Sequence, residues 1–208
     1  MNDKINWYFD FISPYAYLQF VQYPELFQRP DVALKPALFA GLLNHWEHKG
    51  PAEISEKRRF TYRYVVWDAA RKGIVLKLPP AHPFNPLPVL RLAIALQCEY
   101  DAVRIIFDFI WRAGRSHEQE WRELCDYLGV LDGDVRVAAP KVKEALSANT
   151  EEAIRKGVFG VPTFVVGKEL FWGVDATPML LDYLKNPALF ETDEMRRVAD
   201  MPASARRS

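Results

Sequence analysis

"YFDFISPYAYL", residues 8–18, decides how the chain begins. It closes an aromatic run with a β-branched start, "INWYFDF" (5–11), which reads as a buried strand. Ser13 and Pro14 follow with the side chains of an N-cap and a first helical turn, so a helix opens there and runs to about residue 28, where "QRPD" stops it. "VALKPALF" (32–39) is a second strand, and Pro36 inside it marks an edge or a late bulge. Strand, helix and strand in this order predict a parallel pair with a right-handed crossover. The Ser13 hydroxyl has two readings: it caps the helix, or it faces a reacting group.

From about residue 40 the texture is helical. "SEKRRFTYRYVVWDAARKG" (55–73) and "PFNPLPVLRLAIALQCEYD" (83–101) carry apolar residues at helical spacing, and further helices are predicted over 102–113, 118–128, 134–147 and 149–156. "GVFGVPTFVVGKELFWGVDATPMLLDYL" (157–184) then gives two short strands, "TFVV" and "ELFW", around a turn at Gly167 and Lys168, with a helix starting near Thr177 and Pro178. Neither terminal piece can bury its apolar face alone, so strands at both ends imply one mixed sheet assembled across a helical insertion. The expected division is an α/β domain of residues 1–39 and 158–190, an all-helical insertion of 40–157, and a tail of 191–208 that holds a short helix and then frays.

Half of the 208 residues are apolar, enough for a sizeable core, and 27 basic residues balance 27 acidic ones. Zero net charge gives no electrostatic reason to expect nucleic acid or an anionic membrane as partner, which favours a small molecule. The first residues, "MNDKINWYFDF", lack the basic and apolar regions of a secretory signal, and the cytoplasm is the expected compartment. Cys98 and Cys125 form no CxxC pair and have no matching histidine spacing. His45, Glu47 and His48 lack a further ligand, so no metal site is expected.

Taken with "FNPLPVLRLA" (84–93), "VFGVPTFVV" (158–166) and "FWGVD" (171–175), the opening stretch resembles the DsbA superfamily, a thioredoxin-like fold carrying a large helical insertion. Within it the sequence is similar to the 2-hydroxychromene-2-carboxylate isomerases and the kappa-class glutathione transferases. In redox members a CxxC occupies the place of Ser13, Pro14, Tyr15 and Ala16, so the resemblance implies a sulfur borrowed from glutathione rather than thiol–disulfide exchange by the chain itself. Ser13 would donate a hydrogen bond to that sulfur at the positive end of its helix and favour the thiolate.

The same resemblance implies the rest of the site. A cis Val161–Pro162 bond would lie beside Ser13, with the Val161 backbone pairing the cysteinyl residue of glutathione. Pro14 and Tyr15 complete the thiol end. Val174 and Asp175 would hold the γ-glutamyl end, Lys57 the glycyl carboxylate, and His48 stands roughly where the transferases carry an asparagine. Asn85, Arg91 and Trp172 are the candidates for substrate, with Tyr15, Trp46, Phe84 and Trp172 as aromatic walls. Structural readings stand beside these: helix caps at Asp175 and Asn85, a solvated face at Lys57, an internal pair at Arg91. Ala176 departs from the arginine of many isomerase-like members. Pro86, Leu87 and Pro88 depart from the neighbourhood in which the naphthalene-pathway isomerases carry theirs. The implied activity is a glutathione-dependent cis–trans isomerisation of an aromatic acid by a homodimer. A kappa-type transferase and a non-catalytic binding module are the alternatives.

Overall fold

The structure, a computed structural model, describes residues 4–204. Its sheet has four strands in the order β2-β1-β3-β4. The central strand β1 (Ile5–Phe9) is buried along its whole length, which explains its continuous apolar sequence. It pairs parallel with β2 (Val32–Pro36), and the helix α1 (Pro14–Gln22) with the short α2 (Pro24–Phe27) fills the connection. On its other side it pairs antiparallel with β3 (Thr163–Val166), which turns at Gly167 and Lys168 into β4 (Glu169–Trp172). The register sets Tyr8 opposite Thr163, so the end of β1 and the start of β3 emerge side by side.

The helices between the strands are α3 (Phe39–His45), α4 (Ser55–Arg71), α5 (Leu87–Ala95), α6 (Tyr100–Phe107), α7 (Trp121–Tyr127), α8 (Gly133–Ala138) and α9 (Pro140–Arg155). A π-turn, Asp108–Arg112, extends α6. After β4 come α10 (Thr177–Lys185), a 3-10 turn at Pro187–Glu191 and α11 (Asp193–Ala199), capped by the Thr192 hydroxyl on Met195 N–H. Residues 205–208, the end of the expected tail, lie outside the described residues. Among the described residues no helix is long and apolar enough to cross a membrane.

Several boundaries differ from the sequence expectation for local reasons. The first strand stops at Phe9, because the Asp10 side chain turns the chain rather than continuing the ladder. The first helix breaks at Tyr23, ahead of Pro24, whose ring nitrogen cannot donate to the preceding turn. The break expected near residue 148 does not occur: Thr150 Oγ1 donates back to Leu146 C=O at 2.9 Å inside a continuous α9, and Pro140 makes the break instead, opening that helix. The predicted 83–101 helix is shortened at both ends. Asn85 and Pro86 precede α5, and Gln97 and Cys98 leave it with positive φ.

Alternate residues of β1 face opposite ways, which divides the core. Ile5, Trp7 and Phe9 meet Phe20, Phe27, Phe107 and Phe164 in the larger cluster, where the Trp7 ring stacks on Phe9 at 4.3 Å between centroids. Tyr8 points the other way, onto Val158, Val161 and Val165. One buried polar side chain joins α1 to the turn after β4. Gln19 accepts from Trp7 Nε1 at 2.6 Å, and its amide donates to Gly173 C=O at 3.1 Å and to Thr177 Oγ1 at 2.8 Å. Replacing Gln19 with leucine strands the Trp7 donor and the Gly173 acceptor. Urea unfolding of that variant is expected to show a loss of about 2–4 kcal/mol, and a loss near zero would mean that the three partners find other bonds.

Candidate active site

The turn between β1 and α1 is held by side chains on both sides. Asp10 is fully buried; its Oδ1 accepts Ile12 N–H at 3.0 Å, its Oδ2 accepts Phe39 N–H at 2.9 Å, and its backbone carbonyl accepts Ser13 N–H at 3.0 Å. One carboxylate thus shapes the turn and caps α3 from a distance. Burial pushes its pKa up to about 7, against the pull of the two amides. From the insertion, Trp111 Nε1 donates to Phe11 C=O at 2.8 Å, and His82 Nε2 lies 2.7 Å from Ile12 C=O. A carbonyl only accepts, so that nitrogen carries the proton, and His82 Nδ1 accepts from the Tyr62 hydroxyl at 2.7 Å. Burial lowers the His82 pKa and keeps the ring neutral.

Ser13 is the N-cap of α1 and is only 7% exposed. Its Oγ accepts Ala16 N–H at 3.3 Å and donates to Val161 C=O at 3.4 Å. Both bonds are long, the second well beyond the usual O–H···O distance, so the proton is weakly committed. Val161–Pro162 is cis, and the Val161 N–H has no partner among the described residues. The Val161 carbonyl thus carries only this long bond from Ser13. Pro162 C=O accepts Gly173 N–H at 2.9 Å, which brings the Val174–Asp175 turn beside the proline. Gly173 has φ +87°, a backbone conformation that favours glycine. Asp175 does not cap α10: that helix has no side-chain cap bond, and the exposed carboxylate is left available.

Two walls flank Ser13. On one side α4 packs on α1, and the half-buried Tyr15 meets Tyr64, with ring centroids 6.4 Å apart. Burial, helped by the neighbouring Tyr64 and by the Asp175 and Asp68 carboxylates, raises the Tyr15 pKa and keeps the phenol neutral, while the nearby Thr61 acts the other way. Lys57 stands exposed in the first turn of α4, one turn before Thr61 and on the same helix face. On the other side Trp46 Nε1 donates to Val158 C=O at 2.9 Å and His48 Nε2 to Phe159 C=O at 3.2 Å, fixing the loop before the cis proline. Trp172, 55% exposed, lies edge-on to Phe159 at 5.1 Å.

The remaining candidates have structural partners or are enclosed. Asn85 Oδ1 accepts Leu87 N–H at 3.1 Å, so the side chain caps the start of α5. Arg91 lies on α5, which packs mainly on α6, α8, α9 and β2, and its Nε is enclosed without a partner. Phe84 is buried among His82, Trp111 and His117 and belongs to the core rather than to a pocket wall. Sequence reasoning missed Asp10, Tyr62, His82, Trp111 and Phe159. A carboxylate inside the otherwise apolar "YFDFI" and a histidine in the non-helical "AHPFNP" were the available signals.

Residues 4–185 match the family described as the DSBA-like thioredoxin domain. The chain belongs to that family. Glutathione S-transferase kappa 2 of Caenorhabditis elegans is 28% identical over 208 aligned residues that cover 88% of this chain and 92% of the relative. A 2-hydroxychromene-2-carboxylate isomerase of Sphingobium xenophagum is 27% identical, covering 88% of this chain and 99% of that one. A solved 2-hydroxychromene-2-carboxylate isomerase superposes with a TM-score of 0.77 at 21% identity, over 96% of this chain and 99% of the other, which establishes the DsbA-like fold. This member of the family has no cysteine at residues 13–16, and its two free cysteines are held inert: burial pushes the Cys98 thiol up to about 12 and also raises that of Cys125.

The buried Asp10 has a pH signature. A carboxyl whose folded pKa lies above its unfolded value binds more protons when folded, so its favourable contribution is complete below about pH 4 and is lost as pH rises through about 7. Unfolding free energies of wild type and Asp10→Asn at pH 5 and pH 8 are expected to show the wild-type advantage shrinking by roughly 2–3 kcal/mol. A difference independent of pH would mean that Asp10 titrates normally.

Proposed function

We propose that this protein is a glutathione-dependent isomerase of the 2-hydroxychromene-2-carboxylate type, in which Ser13 activates a thiolate that the chain itself does not possess. The observation that carries the reading is the Ser13 hydroxyl: it sits at the first turn of α1, with one lone pair on Ala16 N–H and its proton on a 3.4 Å contact that a better acceptor can take over. The relatives named above, a kappa transferase and two isomerases, support it.

The residues present fit glutathione. The free Val161 amide suits a peptide carbonyl, the uncapped Asp175 carboxylate a terminal ammonium, and the exposed Lys57 a terminal carboxylate. Bound there, glutathione would supply a thiolate nucleophile for reversible addition to a conjugated aromatic acid, the chemistry that permits cis–trans isomerisation. Ser13 holds its proton towards the sulfur, and the N–H dipoles of α1 favour negative charge at the same place. Tyr15, neutral and with Pro14 before it, lines one side, while His48 holds the loop that carries Val161. Trp46, Phe159 and Trp172 offer exposed aromatic surface to an aromatic acid. The reading includes a homodimer in the cytoplasm, where glutathione is kept reduced.

A kappa-type transferase is the second reading, favoured by the 28% identity to a kappa enzyme. Supplying an isomerisable enone and a chloroaromatic acceptor side by side separates the two by product. In either case Ser13→Ala is expected to raise the pKa of bound glutathione, followed by thiolate absorbance, and to slow turnover about 10- to 100-fold. An equal bound-thiol pKa in both proteins overturns the role given to Ser13, and no binding of glutathione by the wild type overturns the function.

A further inference from the structure

We infer that His82 is a positioning residue for Ser13: by holding the Ile12 carbonyl it fixes the peptide plane from which the Ser13 hydroxyl is aimed. A peptide unit is planar, so Ile12 C=O and Ser13 N–H turn together. The carbonyl end is bound by His82 Nε2 at 2.7 Å and the amide end by Asp10 C=O at 3.0 Å. The preceding plane is clamped in the same manner, by Trp111 at Phe11 C=O and by Asp10 Oδ1 at Ile12 N–H. Asp10, from the strand, thus holds both amide ends, and the insertion holds both carbonyl ends.

Of the two insertion side chains, His82 acts on the plane adjoining Ser13, and it alone of the pair is tied onward to α4. Its Nδ1 accepts from Tyr62, whose hydroxyl also lies 2.8 Å from the His82 carbonyl, and the same helix presents Thr61 and Tyr64 to Tyr15. The ring sits with its edges against Trp111 and Phe84, which prevents it from swinging away. One imidazole therefore links the first turn of α1 to α4. The inference rests on the proposed role of Ser13 for its consequence in turnover, but the geometry it asserts exists without ligand.

The test uses amide hydrogen exchange of the ligand-free protein. His82→Phe keeps the ring's bulk and removes the donor; Ser13 and Ala16 amides are expected to exchange about tenfold faster while those of Trp7 and Tyr8 keep the wild-type rate. His82→Gln, whose side-chain amide can again donate to Ile12 C=O, is expected to restore most of the protection. With glutathione, His82→Phe raises the bound-thiol pKa and leaves Kd within a few-fold, and His82→Gln brings the pKa back. Unchanged exchange at Ser13 and Ala16, or an equal rise throughout β1, overturns the inference. If His82→Phe does not fold, the imidazole nitrogen NMR spectrum of the wild type decides: a protonated Nε2 in slow exchange is expected, and a proton on Nδ1 overturns it. A wild type that binds no glutathione removes the proposed function while the exchange result still judges His82.

Discussion

The site depends on the orientation of two successive peptide planes, Phe11–Ile12 and Ile12–Ser13. Short as this turn is, all four of its carbonyl and amide ends are satisfied by named groups, two on the strand side and two on the helical side. Buried backbone groups must be paired somewhere, and here the pairing also removes the freedom of the residue that follows. Ser13 inherits a fixed direction without any strong bond to its own hydroxyl. That combination, a rigid base and a loosely held proton, suits a group that must hand its hydrogen bond to something else.

The insertion is part of the site in the same sense. It contributes Trp46 and His48 to the loop before the cis proline, Thr61 and Tyr64 to the neighbourhood of Tyr15, and His82 and Trp111 to the turn. Without the segment between β2 and β3, Phe11 C=O and Ile12 C=O would lack their donors. The chain itself offers no activated thiol at this turn: positions 13–16 carry no cysteine, and the two cysteines elsewhere are raised in pKa by burial.

The parallel β1–β2 pair, the antiparallel hairpin and the edge position of β2 were legible because they follow from short-range signals: apolar runs separated by a linker of helical length, the two-residue turn at Gly167 and Lys168, and Pro36. Helix boundaries were less so. The "SAN" segment looks like a break but Thr150 can bond back into its own helix, whereas Pro140 cannot donate at all. The resemblance brought Ser13, Val161, Pro162 and the Val174–Asp175 turn into view, and the structure sets these together. It also caps α5 with Asn85 and buries Phe84 and the Arg91 Nε. His82 and Asp10 escaped because their roles lie in which backbone atom they touch, and nothing in the residue type announces a partner many positions away.

Those separations carry a further consequence for how the molecule comes into being. The groups that hold the first turn stand 70, 100 and 148 positions downstream of their partners, at His82, Trp111 and Val161. A chain is synthesised from its N-terminus, so the opening strand and its serine leave the ribosome long before anything exists to fasten them. Closing such loops is slow relative to local helix formation. The corner around Ser13 is thus made before the groups that fasten it and is among the last to take shape, and a nascent chain that stops short of β3 holds the serine without its setting.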